Sequence, residues 1–258
     1  RAVRYEQRLG FRIEDETLSL VQDAMDQGYL APVSGDRLRH ELDRIIQEER
    51  PAPALRRAIE LGILAGIHPA LANPEAIDRL EASGLLGKVS DDSGGDDIQA
   101  DDGRGIKSPP MLFLAALVYA LSPGDGEGII GRLNLPGAWA EVVRDTIALR
   151  ELEPELAAPE LSASRLVSLV QGFSPAALLA VSRVTIYPAA GRMLKNYLDE
   201  LQHITPVLKG GDLLALGVPS GPLVGKILGQ LREAKLDRRL DTIDQEKRMV
   251  EELLVQLG

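Results

Sequence analysis

A run of eleven residues, 111–121, carries an apolar side chain at nearly every position, MLFLAALVYAL. A helix needs about 20 such residues to cross the hydrocarbon core of a membrane, so this run is too short to span one. A segment that is apolar on every face must instead be surrounded by other parts of the protein. The sequence therefore predicts a central core helix.

The composition favours an all-α, multi-helical fold. Aromatic residues make up only 3% of the 258 residues, and most apolar positions are Leu, Ala, Ile or Val, which suit helix packing better than a β-sandwich. A chain of this length can form one large core or two modest ones. The absence of cysteine excludes a disulfide framework and any thiolate metal site.

No pattern in the sequence predicts a catalytic or metal site. His40, His68 and His203 are scattered, and none has a second potential ligand three or four residues away. There is no G-x-S-x-G elbow. The glycines of 221–226 lack the spacing of a phosphate-binding Walker loop, so they favour close packing or backbone approach to a phosphate.

The charge is unevenly distributed. A net charge of −10 argues against indiscriminate binding to nucleic acid. The acidic excess is concentrated in 14–16, 90–102 and 151–160, whereas the C-terminal part carries eight basic residues, and a locally basic groove there is compatible with RNA binding. The basic residues there are Lys209, Lys226, Arg232, Lys235, Arg238, Arg239, Lys247 and Arg248. With no signal peptide and no membrane-length apolar run, we expect a cytoplasmic protein without a membrane partner.

Proline and glycine punctuation divides the chain into three sections. We predict helices in 1–72, a second helical section in 73–200, and a helical hairpin in 201–258. Within the second section, 88–110 is rich in Asp, Gly and Ser and has almost no apolar residue. Such a stretch cannot bury enough surface to fold alone, so we predict a mobile acidic insertion.

The helical pattern of the first segment begins at Arg1 itself, with no capping residue before it. Arg1, Arg4 and Arg8 share one face, where they repel one another unless an anion or partner carboxylates lie opposite. Gly10 is placed to end the helix, with Phe11 folding back against it. We therefore expect part of the functional surface to lie outside this chain.

Three ordered motifs carry a resemblance to a known family. They are RAVRY and LGFRIE at 1–5 and 9–14 followed by Thr17, then VSGDRLRHEL at 33–42, and finally LKGGDLLALGV with GPLVGK at 208–218 and 221–226. These resemble the RAVRFxxxLGFxIExxT, S-x-x-R-x-x-x-E and GxDLxxLGxxxGPxxG patterns of class II tRNA nucleotidyltransferases and bacterial poly(A) polymerases. The stretch 73–200 resembles that family in helical character only.

The resemblance implies the neck (1–72), body (73–200) and tail (201–258) of such an enzyme without its catalytic head. No Gly-rich loop followed by D-x-D occurs, so this chain has no cofactor of its own and should be inactive alone. The parent would add CMP or AMP from CTP or ATP to an RNA 3′ end, with Mg²⁺ held in the head. The helical region would hold a tRNA acceptor arm, or another structured RNA, and position its 3′ end.

The resemblance also implies roles for particular residues. Arg1 and Arg4 would lie next to the nucleotide pocket, and Arg37 and Glu41 would brace the neck; their i, i+4 spacing also permits an ion pair. The implied RNA-binding residues are Lys209, Lys226, Arg232, Lys235 and Arg238.

Two other classes of function stay open. A helical protein-interaction or oligomerisation module without RNA binding agrees with the acidic charge, and an exposed apolar patch would favour it. A helical hydrolase would need a metal-ligand cluster, which the sequence does not contain.

Overall fold

A computed structural model describes residues 1–85 and 109–257, and these residues form fifteen α-helices, two short 3₁₀ turns and no strand. The all-α prediction is therefore confirmed. The neck helices are α1 (Ala2–Leu9), α2 (Asp15–Asp26), α3 (Gly35–Ile46), α4 (Pro51–Glu60) and α5 (Ile63–Ile67). The body has α6 (Pro74–Ala82), α7 (Pro109–Val118), α8 (Pro123–Arg132), α9 (Gly137–Leu156), α10 (Ala163–Val170), α11 (Pro175–Val184) and α12 (Pro188–Asp199). The tail has α13 (Gly210–Ala215), α14 (Pro222–Leu236) and α15 (Ile243–Leu257).

The predicted central helix exists as α7, and residues 112–119 are all buried. Its bounds differ from the prediction. It begins at Pro109, two residues before the predicted start, because proline fits the first turn of a helix, where no backbone N–H donor is needed. It ends at Val118 rather than at 121. The insertion predicted at 88–110 therefore cannot extend past residue 108; its remainder lies outside the described residues.

Two apolar cores organise the described residues. The first runs without interruption from Val3 in the neck through the body to Leu201, and it also receives Leu236 from the end of α14. The second lies within the tail, from Leu208 to Val250. The neck and body thus share one core, whereas the tail has its own and reaches the other through α14.

The turn after α1 follows the prediction at one residue and departs from it at the next. Gly10 ends the helix in the left-handed region, with φ of 66°. Phe11, however, is 67% exposed and does not fold back. Ile13 is the buried residue of the turn, because its N–H donates to the buried carboxylate of Glu6 at 3.1 Å and draws the chain inward there.

A tyrosine–glutamate pair is buried in the body. The hydroxyl of Tyr119 donates to Oε2 of Glu153 at 2.7 Å, and this bond joins the turn after α7 to α9. Burial raises the pKa of Glu153 above its usual value and raises the pKa of Tyr119 to about 12. The tyrosine therefore stays protonated and remains a donor.

No single helix among the described residues is both long and apolar enough to cross a membrane. Only α10 and α11 taken together, across a bend of 117°, reach the required length.

Replacing Tyr119 by phenylalanine tests the buried pair. Because the change removes a donor from a buried carboxylate, we expect Tyr119→Phe to lower the free energy of unfolding by about 1–3 kcal/mol. Chemical denaturation followed by circular dichroism measures this. Tyr187→Phe is the matched control, since that side chain is partly exposed, and it should leave stability unchanged. Equal stability of all three proteins would contradict the role of the hydrogen bond.

Candidate nucleic-acid interface

Arg1, directly before α1, and the two arginines of α1 lie opposite carboxylates of α3 and of the residues after it. Arg1 donates to Glu41 at 3.0 Å. Arg4 and Arg8 both approach Glu48, at 3.1 and 3.7 Å. Arg4 is buried, whereas Arg1 and Arg8 remain largely exposed. The arginine stripe therefore joins α1 to α3 and the residues directly after it, which relieves the repulsion that the sequence alone predicts.

The neck motif does not form the ion pair that its spacing permits. Glu41 accepts from Arg1 and from Arg44, at 3.0 and 2.9 Å, and Arg37 makes no ion pair within the described residues. Burial alone would raise the pKa of Glu41, but these arginines lower it below its usual value. The intrahelical pair fails because α1 supplies a competing guanidinium. A bracing role for Arg37 and Glu41 stays a prediction.

An apolar groove of about 760 Å³ lies among the neck helices. Its apolar lining comes from α1 to α5 and the connections between them, and its polar lining is formed by Arg1, Arg37, His40, Glu41 and Arg44. Arg1 thus borders the groove, whereas Arg4 lies outside its lining. Their proposed position beside a nucleotide pocket stays a prediction.

The five tail cations predicted to bind RNA fall into two groups. Lys209, Lys226 and Arg238 are exposed and form no ion pair within the described residues. Arg232 and Lys235 are half-buried and engaged inside the protein. Arg232 donates to the carbonyls of Ile204 and Gln202, at 3.0 and 3.3 Å, and Lys235 donates to Glu246 at 3.2 Å.

Glu246 connects parts of the tail through contacts that sequence reasoning missed. Its side chain is buried and accepts from the backbone N–H groups of Val207 and Leu208 as well as from Lys235. Burial would raise its pKa, but these three donors lower it below the usual value of a glutamate. The carboxylate of Glu246, in α15, thus connects the segment at 207–208, which leads into the tail, to α14 as well.

A second carboxylate fixes the tail to the body. Asp237, directly after α14, accepts from the backbone N–H of Ser164 at 2.9 Å and from its hydroxyl at 2.8 Å. Ser164 lies in the first turn of α10, where backbone N–H groups have no partner within the helix. The helix has its own N-cap in Ser162, and the tail satisfies one further N–H of its first turn.

Comparison with known proteins identifies the family. A family described as "Probable RNA and SrmB-binding site of polymerase A" matches residues 10–74. The A-adding tRNA nucleotidyltransferase of Geobacter sulfurreducens is 30% identical over 96% of this chain. The chain belongs to the tRNA nucleotidyltransferase family. It spans only 28% of that relative's length. The multifunctional CCA protein of Teredinibacter turnerae is 32% identical over 48% of this chain and 29% of its own length.

Solved structures of the family share the helical fold. A CCA-adding enzyme with ATP superposes over the whole chain with a TM-score of 0.74 and 23% identity, and the chain covers 59% of it. The Thermotoga maritima CCA-adding enzyme in complex with tRNA gives a TM-score of 0.70, also at 23% identity, and the chain covers 60% of it. The chain is thus similar to the helical portion of these nucleotidyltransferases.

The metal ions that this family's chemistry implies do not fit the described residues. Among residues 1–85 and 109–257, no group of three or more Asp, Glu or His side chains could hold a metal ion. The acidic pairs Asp91-Asp92 and Asp96-Asp97 lie outside the described residues.

We expect Glu246 to make the stability of this nucleotidyltransferase tail dependent on pH. Because its pKa is lowered on folding, its contribution is present above the unfolded value of about 4.3 and is lost as the pH falls through the lower folded pKa. Thermal melts of the chain between pH 3 and 7 should therefore show an acid-sensitive step that Glu246→Gln weakens. The exposed neighbour Glu233→Gln is the control, and an identical acid response in both variants would rule out this role of Glu246.

Proposed function

We propose that this helical region holds the acceptor arm of a tRNA and positions its 3′ end for nucleotide addition. The observation that carries the proposal is that exposed tail cations, among them Lys209, Lys226 and Arg238, have no carboxylate partner within the described residues. Most arginines of the neck, by contrast, are engaged in ion pairs. The similarity to an enzyme solved with tRNA supports the same partner.

Unpaired cations suit a phosphate backbone. Each lysine or arginine that contacts a phosphate releases a condensed counterion, and this release drives binding without reading the base sequence. Double-stranded RNA is recognised mainly through its shape and its backbone. We therefore infer that the tail recognises the duplex part of a tRNA.

The chemistry of nucleotide addition belongs, in this proposal, to a separate catalytic head. The head would hold ATP or CTP and the Mg²⁺ ions that stabilise the attacking and leaving oxygens in phosphoryl transfer. The neck would face it through Arg1 and Arg37, which lie in the lining of the apolar groove. The chain by itself is then expected to add no nucleotide to RNA.

The groove supports a second candidate function. A mostly apolar cavity of about 760 Å³ on the neck suits apolar side chains of a protein better than a phosphate backbone. The matched family segment, residues 10–74, contains most of its lining, and the family's description names SrmB as well as RNA. A chain that binds no RNA at low salt would favour this interaction role.

The salt dependence of tRNA binding tests the proposal. Replacing Lys209, Lys226 and Arg238 together by alanine should make the slope of log K against log salt less negative by about 2–3, since each lost phosphate contact contributes about 0.7–0.9. Fluorescence anisotropy with labelled tRNA at several salt concentrations measures it. These three are chosen because Arg232 and Lys235 hold the tail together.

The matched control is an equal number of exposed cations on the body, Arg183, Arg192 and Lys195, likewise replaced by alanine. Their loss should leave the slope nearly unchanged. Equal slopes for the tail variant and the unmodified chain would show that the tail is not the RNA surface.

A further inference from the structure

The neck meets the body where α3 and the turn before it contact α8 and the turn after it, and we call this contact the joint. Two arginines bind across it, one from the neck and one from the body. Arg39 of α3 donates to the backbone carbonyls of Leu133 and Asn134, which follow α8. Arg132, the last residue of α8, donates to the carbonyls of Leu30 and Val33, at 2.7 and 2.9 Å, in the turn before α3. The arginine of each helix thus donates to backbone carbonyls in the turn next to the other helix.

Of the carbonyls that these arginines bind, that of Leu30 also accepts from the N–H of Val33 at 3.0 Å, whereas the other three accept from no backbone donor among the described residues. The last carbonyls of a helix have no partner within it, and those of a turn are often unpaired. Asn134 lies in the left-handed region, with φ of 48°, and its side-chain amide donates to Asp36 at 3.3 Å. Asp36 in turn pairs with Arg39 at 2.9 Å, so it holds that guanidinium in place.

Gly35 lets the two elements approach closely enough for these bonds. A β-carbon at this position would lie 2.6 Å from the carbonyl oxygen of Arg132 and 2.7 Å from the carbonyl carbon of Leu133. Both are backbone atoms, which cannot move aside without shifting the end of α8. Gly35, Asp36 and Arg39 all belong to the neck motif at 33–42, whose conspicuous Arg37 and Glu41 do not take part in the joint.

The hydrogen bonds of these two arginines restrict the angle between neck and body, which the apolar contacts of the shared core do not. Apolar contact between neck and body is non-directional and tolerates small rotations. Hydrogen bonds to fixed carbonyls have preferred distances and angles, so a rotation of the neck must weaken several of them together. Arg39 is also largely shielded from water, with 16% of its side chain exposed.

We propose that Gly35, Arg39 and Arg132 are positioning residues that fix the angle between neck and body, so that one RNA can contact the tail and the neck segment that matches the RNA-binding family, residues 10–74, at once. This inference rests on the proposed function. A fixed angle raises the effective concentration of the second contact once the first has formed. An RNA long enough to reach both units gains from it, whereas a short hairpin bound to one unit does not.

The experiment compares Arg39→Ala combined with Arg132→Ala against the unmodified chain. Affinities for a complete tRNA and for a short acceptor-stem hairpin are measured by fluorescence anisotropy. We expect the tRNA affinity to fall by about 3- to 30-fold, the usual range for loss of coupling between sites, and hairpin affinity to stay within about twofold. Arg144→Ala is the control, because that arginine also joins two helices but at the surface.

A distance measurement tests the joint independently of RNA. The chain has no cysteine, so Gln22→Cys on the neck and Lys195→Cys on the body provide unique sites for spin labels. Pulsed dipolar spectroscopy should give a broader distance distribution in the double-alanine variant than in the Arg144→Ala control. If that variant loses its helical circular dichroism, Gly35→Ala, which keeps both arginines, takes its place and should show the same broadening.

The outcomes separate the two proposals. An unchanged distance distribution, or an unchanged ratio of tRNA to hairpin affinity, would overturn the positioning role while leaving RNA binding intact. If the unmodified chain binds neither RNA, the proposed function fails and the positioning of RNA fails with it. In that case a broadened distribution would show only that the arginines hold the neck to the body.

Discussion

Burial of a helix that is apolar on every side determines the arrangement of the neck and body. With residues 112–119 all buried, α7 must have neighbours on every face, and it packs against α6, α9, α11 and α3. The hydroxyl of Tyr119 is the one side-chain polar group in this run, and it needs a partner because an unpaired buried donor is unfavourable. Glu153 of α9 supplies it. The need to pair this buried hydroxyl thus produces a specific hydrogen bond between α9 and the residue directly after α7.

The sequence predicts those features that depend on neighbours along the chain. Gly10 and Gly217 end helices because both adopt positive φ, and Pro222 begins α14 because the first turn needs no donor. It does not predict which charges meet across the fold. Arg4 and Glu48 are 44 residues apart, and Glu246 binds backbone groups 38 and 39 residues away. No local pattern encodes such pairs, since they depend on how the helices pack.

The tail cations show the limit of what the helical period predicts. In α14 the buried residues Ile227, Leu231 and Ala234 recur at helical spacing. Arg232 and Lys235 each follow one of these directly, so they flank the buried stripe, and both bind internal acceptors. Lys226 is exposed although it also directly precedes a buried residue, Ile227. The helical period alone therefore does not separate cations with internal contacts from surface cations.

The acidic net charge of −10 does not oppose RNA binding by the tail, because charge acts locally in physiological salt. Interactions between exposed charges are largely screened beyond about 8 Å at that ionic strength. Many carboxylates near the arginines of the neck are already engaged, as Glu41, Glu48 and Glu6 are. A phosphate that approaches Lys226 therefore meets mainly the charges of the tail. An anionic protein can then favour particular regions for RNA, because its acidic surface disfavours contact elsewhere.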